Sequence, residues 1–338
     1  MLMHQKVTMQ DIADKLGITK VTVSKAINRR DGVSNDLRDK ILATAREMNY
    51  IKPAKESMGS HRFAFVCPKR YFLEDDSFYT TIFYYLNKYC LQKGSAIDCY
   101  IISTGDEKAA RLPKGLNNNS LDGIFIAGQF MPDFLTALLA LPPAKVALDF
   151  HLSGMPVDCV ISDNFRMGTL VTDELIANGH RHIGFVGDPA ATSSICDRYY
   201  GYLKALALAG LTANEAWHIV TNDPLTGVYL HHVSLPDPLP SAFVCHCDKA
   251  AFLLAQQLEL AGQSVPDKVS IISFDNTNLS TLMNPQLSSV DVNRSDIAQA
   301  GLQAVLERLR DPSRPAQVYY IQGRLITRAS VRDLTRQD

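Results

Sequence analysis

Long apolar runs are missing from this 338-residue sequence. None approaches the about 18–20 consecutive apolar residues that a helix needs to cross a bilayer, so we expect no membrane span. The first residues, "MLMHQKVTMQDIADK", hold no continuous apolar core, so we expect no secretory signal. Cysteine is sparse: seven residues, an odd number, scattered through apolar runs such as "FAFVCP" and "AFVCHC". That favours reduced, buried thiols in a cytoplasmic protein over a disulfide framework. Enzyme signatures are missing too. There is no phosphate loop, no HExxH, no G-x-S-x-G elbow and no glycine fingerprint opening a βα unit, so we expect neither catalytic residues nor a cofactor.

Net charge is nearly absent, at −1, but its distribution is uneven. Residues 1–60 carry 11 Lys and Arg against 7 Asp and Glu, and the remainder carries 23 against 28. A basic head on an acidic body predicts that the head alone meets nucleic acid.

The head reads as three short helices. Thr8 followed by Asp11 has the spacing of an N-cap and its acidic N3 partner, which starts a helix near Met9. Ile12, Ala13 and Leu16 form its apolar stripe. Gly17 allows the turn, Ile18 plugs it, and Thr19 caps a second helix. In that helix Val23, Ala26 and Ile27 face inward, while residues 20, 21, 24, 25 and 28 share the opposite face. Lys20 and Lys25 there suit guanine edges or phosphates, Val21 a thymine methyl, and Ser24 and Asn28 phosphates or bases. A third helix, capped by Ser34, carries Leu37, Ile41, Ala45 and Met48 and ends near Asn49 and Tyr50.

The stretch "VTMQDIADKLGITKVTVSKAINRRDGVSNDLRDKILATAREMNY" resembles, without a gap, the DNA-binding head of the lactose-repressor (LacI/GalR) family of bacterial transcription regulators. The resemblance implies base reading by Lys20, Val21 and Lys25 and phosphate contacts by Thr19, Ser24 and Asn28. The family most often has Arg where Lys25 stands, and Lys lacks the planar fork that discriminates guanine best. The family's linker runs Tyr-x-Pro-Asn-x-x-Ala-x-x-Leu and forms a hinge helix in the minor groove. Here, in "NYIKPAKESMGSHRFAF", Pro53 stands three residues after Tyr50 and Gly59-Ser60 arrives early. We expect a shortened, atypical hinge. Met58 would serve as the wedge in the alternative of a shifted hinge helix.

Beyond Phe63 short apolar runs alternate with amphipathic segments. "FAFVC", "IDCYII", "DGIFIA", "KVALD", "VDCVIS", "HIGFVG", "SAFVC" and "VSIISF" read as strands. Helices are expected over 78–93, 164–178, 198–209, 249–261 and 295–310. Repeated βα units of this number imply two doubly wound lobes. Motifs such as "LDGIFIAG", "VISDNFRMGTLVTDELIANGHRHIGFVGD" and "VPDKVSIISFDN" are similar to the family's body, which is like periplasmic sugar-binding proteins. The expected organisation is therefore an α/β chain: a helix-turn-helix domain (1–50), the atypical linker (51–61) and a two-lobed, periplasmic-binding-protein-like, effector-binding and dimerising domain (62–338). "TNDPLTGVYLHHVSLPDPLP" departs, being broken by Pro where the family has a helix.

The resemblance places the effector against Arg198, Asp275, Asp149, Asp163 and the aromatic pair Phe78-Tyr79. Each has an ordinary reading as well: Arg198 a salt bridge, the Asp residues loop or helix caps, the aromatic pair core. Cys247 replaces the family's Asn before Asp248, which argues for an effector different from, or less polar than, a common sugar. Cys245-His246-Cys247 in extended chain turns its cysteines one way and its His the other, so no metal site is expected there or at His231-His232. His180 and His182 are expected to be structural, and Trp217 to pack at a strand start. The sequence thus predicts a regulator, probing a palindromic operator as a homodimer and answering a sugar-like small molecule. The absence of a terminal Leu heptad gives no indication of a tetramer. The competing readings are a regulator with a vestigial cleft controlled by a protein partner, and a solute-binding protein.

Overall fold

The structure, a computed structural model, describes residues 7–27, 32–48, 61–72, 77–117, 120–152, 154, 156–221, 229–230 and 233–335. The expectations for Asn28, for the linker from Tyr50 through Pro53 and Met58, and for His231-His232 lie outside these residues. The chain divides into two compact units, Met1–Ser57 and Met58–Asp338.

In the first unit α1 (Met9–Leu16), α2 (Lys20–Ile27) and α3 (Asn35–Glu47) close on one core. Ile12, Ala13, Val23, Ala26, Ile41 and Ala45 form it. The entry to α1 is a reciprocal cap: the Asp11 N–H donates to Thr8 Oγ1 (3.3 Å) and the Thr8 N–H to Asp11 Oδ2 (2.7 Å). Gly17 ends α1 at φ +62°, a left-handed turn that costs a β-carbon-bearing residue. A salt bridge of 2.9 Å between exposed Lys15 and Glu47 joins α1 to α3. It adds less than about 1 kcal/mol, whereas each buried Ile adds about 1.5–3 kcal/mol. Apolar packing holds this unit.

The second unit has two lobes. In the first lobe β1 (Arg62–Pro68), α4 (Lys69–Phe72), α5 (Phe78–Gln92), β2 (Ala96–Ile102), α6 (Thr104–Lys108), β3 (Gly123–Ala127), α7 (Pro132–Leu139), β4 (Ala144–Leu148) and β5 (Asp158–Ser162) follow in order. The chain then crosses to α8 (Asn164–Ala177), β6 (Ile183–Val186), α9 (Ser193–Leu208), β7 (His218–Ile219), β8 (Ala242–Cys245), α10 (Asp248–Leu260), β9 (Ser270–Phe274), α11 (Asn278–Leu282) and β10 (Ser288–Asp291). It returns through α12 (Arg294–Arg310) and β11 (Val318–Ile321), and crosses a third time to β12 (Arg324–Ile326). The sheets run β11-β5-β4-β3-β1-β2 and β12-β10-β9-β8-β6-β7. All pairs are parallel except β10 with β12. Strands covered on both faces must be apolar throughout, which is why β3, "GIFIA", and β8, "AFVC", are buried at every residue.

Two sequence expectations are corrected. The helix carrying Arg198 starts at Ser193, five residues earlier than expected, because the Thr192 hydroxyl caps it by accepting from the Ile195 N–H (3.2 Å). Three strands, β10, β11 and β12, were not anticipated. β10 is Ser-rich, and β11 and β12 are short edge strands with exposed or half-buried residues, so none presents an apolar run. The described part of the Pro-broken stretch, residues 221, 229–230 and 233–240, contains no helix.

Candidate nucleic-acid face and inter-lobe site

In the head, burial of Val23 and Ala26 on one side of α2 leaves Lys20, Val21 and Lys25 exposed on the other. Val21 is 64% exposed, an apolar side chain that no described residue of this unit covers. Ser24 is half-buried at the edge of the same face. Thr19 is exposed, and its hydroxyl is engaged by the helix it starts, accepting from the Thr22 N–H (3.2 Å). Thr19 immediately precedes α2, at the helix N-terminus where a phosphate is favoured by the helix dipole.

The inter-lobe site is built from strand ends. Asp149 follows β4 and Asp275 follows β9, the equivalent strands of the two sheets. Both lie in the left-handed region, at φ +66° and +95°. Each N–H donates 2.8 Å to the next strand, Asp149 to the Val160 carbonyl and Asp275 to that of Val290. Strained non-glycine backbone at the carboxyl edge of a parallel sheet is where such folds place ligands.

The two carboxylates are held differently. Asp149 accepts from the Tyr79 hydroxyl at 2.9 Å, from the first turn of α5. Burial, then the Asp149 charge, push the Tyr79 hydroxyl well above its ordinary pKa, so it remains a donor. Asp275 pairs with Arg198 Nη2 at 3.1 Å. The same guanidinium donates through Nε to Asn164 Oδ1 (2.8 Å) and through Nη1 to the His246 carbonyl, and lies 4.5 Å over the Phe274 ring. Burial alone would lower its pKa, but Asp275 and Asp149 together raise it. Arg198 is a fixed buried cation facing carboxylates of both lobes.

Its position depends on close helix packing. α8 and α9 cross where Gly168 meets Gly201: a β-carbon on Gly201 would lie 2.2 Å from the Phe165 carbonyl oxygen. No larger residue fits without separating the helices that bring Asn164 to Arg198.

Of the other expected residues, Cys247 is buried and caps α10, accepting from the Ala250 N–H at 3.4 Å, with the Tyr229 hydroxyl 3.0 Å from its sulfur. Asp163 caps α8, accepting from the Arg166 N–H at 3.3 Å, beside the first crossing between lobes. Phe78 packs into the apolar core beneath Tyr79. The neighbouring His246 is held neutral, its pKa pushed down to about 3 by burial and by Arg198. Asp248 is pushed up to about 6 by burial and Asp275, although the Ser273 and Ser289 hydroxyls and both the N–H and hydroxyl of Thr277 donate to it. His180 bridges Ser241 Oγ (2.9 Å) and the Arg332 carbonyl (3.2 Å), His182 meets the Trp217 ring edge-on, and Trp217 donates to the Pro238 carbonyl. Among the described residues no group of three or more His, Cys, Asp or Glu could hold a metal ion.

Sequence reasoning missed Asn164, Tyr229 and the lobe-to-lobe contacts at the start of α9. There the Ser193 N–H donates to Gln129 Oε1 (3.1 Å), and the His151 N–H donates to Ser193 Oγ (3.2 Å). Asn164 had a signal, its place beside Asp163 at a crossing. The others had none, since each partner lies 18 or more residues away.

Residues 8–52 match the model of bacterial regulatory proteins of the lacI family, and residues 172–331 match a periplasmic binding protein-like domain. Curated relatives include transcriptional repressors named PurR: from Photobacterium profundum, 26% identical over 336 residues, covering 97% of this chain and 99% of that protein, and from Vibrio campbellii, 24% identical over 335 residues with the same coverage. Among solved structures, a CelR–cellobiose complex covers 96% of this chain and 100% of its own, with 20% identity and a TM-score of 0.67. The lac repressor dimer bound to operator and an anti-inducer covers 97% and 100%, with 18% identity and a TM-score of 0.64.

Proposed function

We propose that the chain, whose head matches the lacI family of bacterial regulatory proteins and whose body matches a periplasmic-binding-protein-like domain, is a cytoplasmic transcriptional repressor that reads a palindromic operator as a homodimer and answers a sugar-like metabolite. Its curated relatives are repressors, not enzymes. The observation that carries the DNA reading is the two-sided α2: Val23 and Ala26 in the core, Lys20, Val21 and Lys25 in solvent. Ser24, Thr19 and Asn28 complete the contact set, Thr19 at the N-terminus of α2. One such helix reads too few base pairs to be specific, so two heads act together. Exposed apolar side chains on both lobes, among them Tyr84, Leu91 and Tyr320 on the first and Leu260 and Leu282 on the second, support pairing of bodies.

The effector sits between Tyr79 and Asp149 on one side and Arg198 and Asp275 on the other, with Cys247 and Asp163 at the edges and Phe78 backing Tyr79. Two carboxylates against one guanidinium favour a neutral, hydroxyl-rich ligand over an anion. Selection of the full-length protein on a random duplex pool tests the DNA reading: an inverted repeat is expected, and no enrichment would overturn it. In the same assay Lys25→Ala is expected to relax preference at one base pair per half-site by about 1–3 kcal/mol. Equal weakening on all sequences would make Lys25 a phosphate contact instead.

A second reading has one observation in its favour. Arg198 is already paired with Asp275, and the Tyr79 hydroxyl already donates to Asp149. A cleft with these pairs in place suits a regulator controlled by a protein partner. A thermal-shift screen of sugars and nucleosides decides between them, a hit abolished by Tyr79→Phe favouring the small molecule.

A further inference from the structure

At the edge of the first lobe's sheet formed by the starts of its strands, remote in sequence from the site above, lies a cavity of about 590 Å³. Its walls are mostly apolar, with Leu116, Leu121, Leu139, Pro143 and Val157 among them, and three charged residues reach it: Asp122, Lys145 and Arg308. The volume falls within the roughly 300–1,000 Å³ of small-molecule pockets.

The three charges are not equivalent. Arg308 is engaged by Asp158, a fully buried carboxylate that it meets through Nε (3.1 Å) and Nη2 (3.0 Å), and by the carbonyls of Pro312, Arg314 and Pro315. Asp122 accepts from the Arg62 N–H at 2.8 Å and has His61 Nδ1 at 3.4 Å, so it secures the chain where the body begins. Lys145 differs. Its half-buried ammonium donates to the Leu141 carbonyl and, at 2.9 Å, to that of Pro143, and no carboxylate among the described residues pairs with it. Burial lowers its pKa with no opposing charge to raise it. A third ammonium proton thus remains for an acceptor in a setting where a charge-assisted bond is strong.

We propose that this cavity is a second small-molecule site that takes a compact amphipathic monocarboxylate, its carboxylate on Lys145 and its apolar portion among Leu116, Leu121 and Leu139. The charge of Asp122, committed to the chain entry, selects against a second anionic group on the ligand.

The test is isothermal titration of the full-length protein with 3-phenylpropionate, using 3-phenylpropanol and 3-phenylpropylamine as neutral and cationic matches in shape. The acid is expected to bind at least about tenfold tighter than the alcohol, the amine not at all. Lys145→Met should erase the preference for acid, Lys145→Arg should keep most of it, and Tyr79→Phe in the cleft should leave it unchanged. Leu139→Trp, which fills the cavity and leaves the ammonium in place, should abolish binding, with circular dichroism reporting that each variant is folded. Equal affinity for acid and alcohol, no binding of the acid, survival of the preference in Lys145→Met, its loss in Tyr79→Phe, or unchanged binding in a folded Leu139→Trp variant would each overturn the proposal.

Discussion

The two lobes of the body are built to one plan and finished differently. Each sheet has the same strand order, and each ends its fourth strand on an Asp at positive φ whose N–H reaches the neighbouring strand. In the first lobe that Asp meets a neutral hydroxyl from Tyr79, and in the second a guanidinium, Arg198, buried among four partners. Shared topology therefore fixes where an acceptor stands. The side chain supplied by the adjoining helix decides whether the site is neutral or charged, and how costly it is to disturb.

That asymmetry can be broken by mutation, beginning where the effect should be largest. Arg198→Met removes one partner of a buried ion pair and leaves Asp275 Oδ1, Asn164 Oδ1 and the His246 carbonyl without their donor. It should cost about 3–5 kcal/mol in urea unfolding. A loss below 1 kcal/mol would mean that the guanidinium is not buried as described. Gly201→Ala should follow, at about 1–3 kcal/mol, because its β-carbon meets backbone rather than a side chain that could move.

The third effect is a pH dependence that rests on two buried groups of the second lobe. His246 has a folded pKa of about 3, below its ordinary 6.5, so the unfolded chain binds the proton first. Stability should fall as pH drops from about 6.5 towards 3, by about 2 kcal/mol at pH 5 from this residue. Asp248, raised to about 6 from 3.8, acts in the opposite sense: its contribution is fullest below 3.8 and is lost as pH rises through 6. His246→Gln should shrink the destabilising limb, leaving the smaller part that buried His180 supplies in the same sense; an unchanged profile would refute the assignment. Smallest of all, Tyr79→Phe deletes one hydroxyl donor to Asp149 and should cost about 1–2 kcal/mol, detectable as a lower urea midpoint at constant slope.

How much of this was legible beforehand follows from the range over which each feature is encoded. The head's caps were readable because Thr8, Asp11, Gly17 and Thr19 act on neighbours three or four residues away. Parallel strands were readable as unbroken apolar runs. β10, with two serines whose hydroxyls donate to Asp248 and the Arg328 carbonyl, was not, since the acceptors those hydroxyls reach lie 40 or more residues away. The start of α9 differs from the expected one because the Thr192 cap lies six residues upstream of Arg198, beside serines that suit a loop equally well. Within the candidate site, motif resemblance pointed to Arg198 and Asp275, which the structure pairs with each other. That Asn164 and a backbone carbonyl hold the guanidinium could be seen only once α8 and α9 were packed together.

The three crossings between lobes carry a consequence for anyone wishing to dissect the body. The first lobe draws on residues 62–162 and again on 294–321, and the second on the remainder. Neither half is a contiguous stretch of gene, so no single truncation can yield one of them intact: any fragment ending before Arg294 lacks the helix that lies against α5 and the edge strand beside β5. Separating them would require splicing distant segments or rejoining the termini, and a stop codon late in the reading frame should damage the lobe that was translated first.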